Sequence, residues 1–161
     1  MDQANQILAF RGEYAFLSNF HPSPLDYESV TFKTVEAAFQ AAKTFDLSLR
    51  REIAALATPT AAKRLGREIP IRPDWESVKI DVMEEILFLK FTQNAVLGEK
   101  LLATGNVHLE EGNTNSDATW GTVNGIGTNY LGFALMRVRD RIRGVIDDPS
   151  GFKVKRRKRH L

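Results

Sequence analysis

The chain has 161 residues, a formal net charge of +2 and no cysteine. This length suits one domain whose core is large enough to fold without cross-links, and the lack of cysteine excludes disulfide scaffolds, thiolate-bound zinc and a cysteine nucleophile. Because the first residues form no basic and apolar leader and no apolar run reaches about 18 residues, we expect a soluble, cytoplasmic protein.

The basic residues are concentrated at the C-terminus. Residues 153–161 contain six Lys or Arg and no acidic residue, so the rest of the chain is mildly acidic. We predict a single domain over 1–147 and a basic, flexible tail over 148–161. Such a tail is either a solvated extension or a tether to the phosphate backbone of nucleic acid, and salt would weaken the second role.

The N-terminal part of the sequence predicts short strands joined by a loop. Residues 6–10 are apolar enough for a strand, and Leu25–Phe32 alternates as in a hairpin with Glu28 and Ser29 near its turn. The segment between them is rich in turn-forming residues and is therefore predicted to be a loop. This loop contains the sequence Phe16-Leu-Ser-Asn-Phe20.

A helix is predicted directly after the hairpin. Thr34 is a suitable N-cap, and apolar residues then recur at helical spacing along one face. That face comprises Val35, Ala38, Ala42 and Phe45. Because successive residues turn by about 100°, the polar residues Glu36, Gln40 and Lys43 lie together on the flank of this face. The flank lines either a groove or the solvent.

The remaining segments are predicted to be mainly helical. The helix that Asp74 would cap has a long apolar pattern and is predicted to be the central helix of the core. The polar loop 112–129 is long enough to suggest a functional role. The fold class is therefore α+β, a single compact helix-rich domain with a few short strands. Helices are expected over 48–57, 59–66, 75–94, 97–104 and 130–143, the last two ended by Gly105 and Gly144, and a strand over 107–111.

Motifs for metals and nucleotide cofactors are missing from the sequence. The histidines, His21, His108 and His160, are scattered, and no calcium loop or phosphate loop occurs. The pair Gly125 and Gly127 lacks the strand and helix that frame a dinucleotide fingerprint. We therefore expect no cofactor and no metal, and the chemistry falls to carboxylates, amines, amides and hydroxyls.

Cleavage of a glycosidic bond is a chemistry that such groups support. Its transition state is an oxocarbenium ion that one carboxylate stabilises while a second acid or base handles a proton or a water molecule. Glu36 and Asp117 are the candidate pair. Each also has a purely structural interpretation, Glu36 as an exposed glutamate in the first turn of a helix and Asp117 as an Asx-turn residue.

Lys43 offers a second route to the same bond. A neutral amine can attack C1′ of a ring-opened ribosyl group and form a Schiff base if burial or a nearby cation lowers its pKa, and otherwise Lys43 is an ordinary surface lysine. Trp75 and Trp120 stand where an indole stacks on a base or packs in the core. Candidates for phosphate binding are the basic residues near turns or helix ends, Arg11, Arg64, Arg67, Arg72 and Lys79.

Taken in order, the motifs of the chain resemble those of the NADAR family, also called YbiA-like. The resemblance covers roughly residues 8–143, and its weight comes from the order and spacing of the motifs, since any one of them alone is weak. The motifs are Phe16–Phe20, Thr34–Lys43, Ala62–Arg67, Asp74–Met83, Lys90-Phe91, Leu101–Gly105, Trp120-Gly121 and Asn129–Gly132.

The resemblance implies an N-glycosidase that acts on ribosyl N–C1′ bonds, and two substrate classes go with it. One is the phosphorylated ribosylaminopyrimidine intermediates early in riboflavin biosynthesis. The other is ADP-ribose attached to guanine in DNA or RNA, removed by antitoxin-like members that counteract ADP-ribosylating toxins. We favour ADP-ribosylated guanine because a cationic tail would concentrate nucleic acid near the site, and we expect a paired ADP-ribosyltransferase toxin. A non-catalytic module that binds ADP-ribose or a nucleotide is a further alternative.

The resemblance also suggests roles for individual residues. Glu36, Trp75 and Asp117 match family positions, as does Lys43, which closes the Phe-Gln-x-x-Lys motif. Just before Trp120 the chain has Ala118-Thr119, where relatives often carry a second acid and an aromatic residue. Glu36, Lys43 and Asp117 are thus the predicted catalytic residues. The predicted substrate contacts are Asn19 and Gln40 for sugar hydroxyls, Trp75 and Trp120 for the base, Arg11 and Arg67 for phosphate, with Ser18, Phe20, Lys79 and Gly121 beside them.

Overall fold

The computed structural model describes residues 6–147, and the predictions for the tail over 148–161 lie outside the described residues. The helix-rich α+β prediction is confirmed. In chain order the elements are β1 Gln6–Ile7, a 3₁₀ helix Gly12–Leu17, β2 Leu25–Tyr27, β3 Val30–Phe32, α1 Val35–Ala41, α2 Leu47–Ala55, α3 Pro59–Gly66, α4 Trp75–Gln93, α5 Ala95–Ala103, β4 His108–Leu109 and α6 Tyr130–Asp147.

The strands form two small sheets. β2 and β3 pair antiparallel, with Leu25 opposite Phe32. Their turn is made by Glu28 and Ser29, both with positive φ (46° and 71°), which suits a tight hairpin turn. β1 and β4 pair parallel, with Ile7 opposite Leu109, so the start of the described chain lies beside the loop that follows β4.

The helices α1 and α4 organise the core. α4 packs against α1, α5 and α6, which confirms its prediction as a central helix. All residues of the short helix α1 are buried, the polar Glu36 and Gln40 included. Thr34 caps α1 as predicted, because its hydroxyl accepts the N–H of Ala37 at 3.1 Å. Within residues 6–147 no helix is both long and apolar enough to cross a membrane.

The predicted C-terminal ends of α1 and α6 are wrong. α1 ends at Ala41 because the N–H groups of Lys43 and Thr44 bond back to Gln40 and Ala41 and tighten the last turn. Phe45 therefore leaves the apolar face and is 67% exposed, with the Arg72 guanidinium stacked 4.1 Å from its ring centre. α6 continues through Gly144 to Asp147, because one glycine does not by itself end a helix.

The predicted side-chain cap of α4 is also absent. Asp74 occupies the N-cap position but makes no capping hydrogen bond. Its carboxylate instead accepts two N–H groups of Arg72, at 2.6 and 2.8 Å. A bidentate guanidinium is the stronger partner for this carboxylate, and the pKa of Asp74 is lowered by it.

Candidate active site

A cavity of about 430 Å³ lies between α1, the end of α3, the first turns of α4 and the loop after β4. Most of the residues predicted for the site line this cavity; the exceptions are Arg11, Gly121 and the phosphate candidates Arg64 and Arg72. Two motifs far apart in sequence, the Phe16–Phe20 loop and the Trp120-Gly121 loop, therefore meet at α1. The lining residues that the sequence suggested are Ser18, Asn19, Phe20, Glu36, Gln40, Lys43, Arg67, Trp75, Lys79, Asp117 and Trp120.

Glu36 and Gln40 form a buried pair on one side of α1. Gln40 Nε2 donates to Glu36 Oε1 at 2.8 Å, and the two residues are 7% and 5% exposed. Burial raises the pKa of Glu36, while the Gln40 hydrogen bond and the charges of Lys63 and Lys43 oppose that rise. The flank of α1 is thus a cavity wall, and the interpretation of Glu36 as an exposed glutamate is wrong.

Gly66 sets how closely α3 approaches this pair. A Cβ atom added at Gly66 would lie 2.0 Å from Gln40 Oε1, far inside a van der Waals contact. Gln40 Oε1 is buried and has no hydrogen-bond partner among the described residues, so its amide is oriented by packing and by the bond to Glu36. The glycine that ends α3 is therefore required for the observed position of Gln40.

Positive charges are gathered around Lys43. Burial lowers the pKa of Lys43; Glu36 opposes the shift, and Arg67, Lys63 and Lys79 add to it. Lys79 is held by an ion pair with Glu76 at 2.6 Å. Lys43 is half-buried, so it is not an ordinary surface lysine. This side of the cavity is suited to an anionic group such as a phosphate.

Asp117 is both a turn residue and a cavity residue. Its Oδ1 accepts the N–H groups of Thr119 at 3.1 Å and Trp120 at 2.9 Å, as in an Asx turn. Asn113 accepts the N–H of Asp117 and donates to its carbonyl oxygen at 2.8 Å. The structural interpretation of Asp117 is therefore correct, and it is compatible with the place of Asp117 in the cavity wall.

An aromatic cluster supports the cavity floor. The ring of Phe39 lies 5.0 Å from that of Trp75 and 5.2 Å from that of Trp120. Trp75 is only 5% exposed, so most of its ring packs in the core. Trp120 is half-buried and Phe20 is 40% exposed, so these two rings keep more free surface for a planar ligand.

The Phe16–Phe20 loop is fixed by a lysine in the core. Lys90 is fully buried in α4, and its Nζ donates to the carbonyl oxygens of Phe16 at 2.7 Å and Ser18 at 3.1 Å. The next carbonyl along the loop, that of Asn19, accepts the N–H of Glu36 at 3.1 Å. Burial lowers the pKa of Lys90 to about 7. The loop is thereby joined to both α4 and the start of α1.

Sequence reasoning missed several residues of the cavity wall. Lys63 stands four residues before Arg67, a spacing that places both on one face of α3 and could have revealed it. Glu111 gave no signal beyond its place next to the polar loop. Burial raises the pKa of Glu111 to about 7, Asp117 adds to that rise, and the charge of Arg11 opposes it. The other missed residues are Phe39, Met83, Asn113, Asn115 and Leu131.

Two of the predicted residues outside the cavity wall, Arg11 and Gly121, affect Glu111. Arg11, which is exposed before the 3₁₀ helix, acts on Glu111 through its charge. Gly121 is buried, and a Cβ atom there would lie 2.0 Å from the carbonyl oxygen of Glu111 and 2.9 Å from its Cγ. Gly121 thus gives Glu111 room to pack closely. Within residues 6–147 no cluster of three or more His, Asp or Glu is arranged to hold a metal ion.

Known proteins resemble this chain in both sequence and structure. A NADAR domain model matches residues 9–143. The chain is 42% identical over 133 residues to "N-glycosidase YbiA" of Shigella flexneri serotype 5b (strain 8401), and the aligned region covers 81% of this chain and 82% of the relative. It is 36% identical over 132 residues to "Riboflavin biosynthesis protein VVA0006" of Vibrio vulnificus (strain YJ016), and the aligned region covers 80% of this chain and 36% of the relative. The NMR structure of the E. coli protein YbiA matches with a TM-score of 0.79 at 36% identity, covering 96% of this chain and 94% of that one.

Proposed function

This chain belongs to the NADAR domain family and is an N-glycosidase, and from this premise we propose that it hydrolyses the bond between C1′ of a phosphorylated ribosyl group and the nitrogen of a base. The observation that carries the proposal is the division of charge in the cavity. Arg67, Lys63 and Lys79 act on Lys43 through their charges, whereas Glu111 and Asp117 interact with each other. Glu36 interacts with both groups, and so it lies where C1′ would be placed between phosphate and base.

Glu36 is the group proposed to act at C1′. In its ionised form it accepts a proton from an attacking water and stabilises the oxocarbenium ion that forms as the bond to the base breaks. A raised pKa makes the ionised carboxylate a stronger base, and the Gln40 amide holds it in place. Asn19 and Gln40 are the proposed partners of the sugar hydroxyls, and Asp117 assists at the ribose or the base.

Lys43 supports an alternative first step. Its pKa is lowered, so a larger fraction of its amine is neutral and able to attack C1′ of a ring-opened ribosyl group. Borohydride would reduce the resulting Schiff base to a stable adduct between protein and ribose. An adduct that is lost in Lys43→Ala supports the amine route, whereas full activity in Lys43→Ala rejects it.

ADP-ribosylated guanine in nucleic acid is the substrate we propose. Several cations on one wall suit a diphosphate, and the free faces of Phe20 and Trp120 suit stacking on a base. The basic residues 153–161 would attract nucleic acid. Pairing with an ADP-ribosyltransferase toxin stays a prediction. Phosphorylated ribosylaminopyrimidines are the second candidate, supported by the name of the Vibrio vulnificus relative. A non-catalytic binding module is not retained, because the chain is an enzyme.

A direct comparison of the two substrates tests this choice. The protein is incubated with DNA that carries ADP-ribose on guanine and, separately, with a 5′-phosphoribosyl aminopyrimidine, and kcat/KM is measured for each. We expect the DNA to be cleaved faster, and the advantage to shrink when residues 153–161 are removed or salt is raised. Faster cleavage of the aminopyrimidine would reject the DNA substrate, and a DNA rate that truncation leaves unchanged at every salt concentration would reject the role of the tail.

A further inference from the structure

Glu111, which follows β4, has an unusual environment for a cavity residue. It lines the cavity wall, yet its Oε2 atom is shielded from solvent and has no hydrogen-bond partner among residues 6–147. A buried polar atom without a partner costs about 1 to 3 kcal/mol, so such an atom calls for an explanation. None of the roles proposed above uses this carboxyl group.

The position of Glu111 is not an accident of a loose loop. Its N–H donates to Asn129 Oδ1 at 3.0 Å, and its carbonyl oxygen accepts the N–H of Thr122 at 2.9 Å and Asn113 Nδ2 at 3.2 Å. Gly121 packs beneath its Cγ, where any side chain would collide. The backbone of Glu111 is therefore held on several sides while one carboxyl oxygen is left unpartnered in the wall of the cavity.

The three carboxyl groups of the cavity differ in what they already bond. Glu36 accepts the Gln40 amide, and Asp117 accepts two backbone N–H groups through a single oxygen. Glu111 alone of the three has a buried oxygen with no partner in the described part of the chain. Burial and the neighbouring Asp117 raise its pKa to about 7 against the opposing charge of Arg11, so a large fraction is protonated at neutral pH.

We propose that Glu111 is a catalytic residue, the general acid that protonates the departing base. An acid in this role must carry a proton at the working pH and must belong to the wall of the cavity that holds the leaving group, as Glu111 does. The proposal rests on the N-glycosidase function and holds for either candidate base, because guanine and an aminopyrimidine both leave through a nitrogen that needs a proton.

The step balances without any further reactant. The C1′–N bond breaks and its electron pair goes to the nitrogen, which takes the proton of the Glu111 carboxyl group. Water bonds to C1′ through its oxygen and gives a proton to the Glu36 carboxylate. The products are ribose with a hydroxyl at C1′ and the free base, and the proton on Glu36 returns to Glu111 through solvent.

A comparison of leaving groups tests this assignment. Glu111→Gln and the control Glu110→Gln are assayed from pH 5.5 to 9 on two N-linked substrates. The first is whichever of the two proposed substrates the native protein cleaves faster. The second is nicotinamide mononucleotide, whose base carries a positive charge and leaves as a neutral molecule without a proton. Glu110 accepts the Thr122 hydroxyl and lies outside the cavity wall, so its substitution removes a neighbouring charge and replaces no side chain of the cavity wall.

We expect Glu111→Gln to lower kcat/KM on the first substrate by about 10² to 10⁴-fold and to affect nicotinamide mononucleotide far less. The fall of native activity above about pH 7 should disappear in Glu111→Gln and persist in Glu110→Gln. Equal losses on both substrates, or an unchanged alkaline fall in Glu111→Gln, would overturn the role of Glu111 alone. If the native protein cleaved neither proposed substrate, the proposed function would be overturned together with this role.

Discussion

Lys90 and Glu111 are ionisable residues with buried polar atoms, and the regions that hold them are built differently. Lys90, in the core, donates hydrogen bonds from its Nζ to two loop carbonyl oxygens. Glu111, in the cavity wall, keeps a buried oxygen without a partner. Since an unpartnered polar atom costs free energy and a partnered one costs less, the Lys90 contacts stabilise the fold, whereas Glu111 keeps an unsatisfied atom beside the cavity.

This difference predicts which measurement each substitution changes. A substitution in the cavity wall should change catalysis and leave stability nearly constant or improved, because buried groups without partners are removed. A substitution at Lys90 should change stability, and how stability depends on pH, because its partners belong to the fold. The following predictions, together with those for substrate choice and Glu111, test this separation, beginning with the largest expected effect.

Glu36→Gln should lower kcat by about 10² to 10⁴-fold, since the group proposed to act at C1′ loses its basicity and its charge. The melting temperature should stay the same or rise, because a buried carboxyl becomes an amide of the same shape. Steady-state kinetics and thermal denaturation measure the two effects. Glu52→Gln, on the exposed face of α2, is the matched control and should change neither. A Glu36→Gln variant with native kcat would remove Glu36 from the mechanism.

Gly66→Ala should lower activity by up to about 10²-fold through a displacement of Gln40, because errors of about 1 Å in a catalytic group are that costly. The added Cβ would fall 2.0 Å from Gln40 Oε1, so the amide that orients Glu36 must move. The effect should appear in kcat more than in melting temperature.

Gly144→Ala provides the control for that change. Gly144 lies within α6 and nothing lies within 4 Å of the position of an added Cβ, so alanine there should stabilise the fold by about 1 kcal/mol and leave kcat unchanged. If Gly66→Ala instead kept native kcat, the Gln40 amide would not be needed to orient Glu36.

The sequence predicted local structure well because local signals determine it. The hairpin at Glu28-Ser29 and the Thr34 cap follow from turn and capping chemistry within a few residues. The pairing of β1 with β4 joins Ile7 to Leu109 across most of the chain, and no local signal specifies it. Glu111 lies two residues after Leu109, so its position depends on that pairing and could not be predicted from local sequence either.

The prediction of the site from the sequence was limited in the same way, because contacts between distant segments carry no local signal. The spacing of Glu36, Gln40 and Lys43 predicted a shared flank, but only the packing of α3 shows that the flank is buried. Lys90 had a usable signal, since it continues the spacing of Met83 and Leu87 on the buried face of α4. A lysine at a core position of a helix indicates a buried cation that needs carbonyl partners, and the partners here lie in the Phe16–Phe20 loop.

The smallest predicted effect concerns the pH dependence of stability at Lys90. Its pKa is lowered from 10.5 to about 7 in the folded protein, so between these values the unfolded chain binds a proton that the folded chain does not. The free energy of unfolding should therefore rise with pH across this window, by about 1 kcal/mol per pH unit from this group. Urea denaturation at pH 7, 8 and 9 measures the slope.

Lys90→Met isolates that contribution. Methionine has no proton to lose, so the variant should show a smaller slope than the native protein, while Lys100→Met, at an exposed position of α5, should keep the native slope. The contribution of Lys43, whose pKa is also lowered, is common to all three proteins and cancels in the difference. Equal slopes in native protein and Lys90→Met would mean that Lys90 keeps its proton throughout, and that its bonds to Phe16 and Ser18 outweigh the cost of burying the charge.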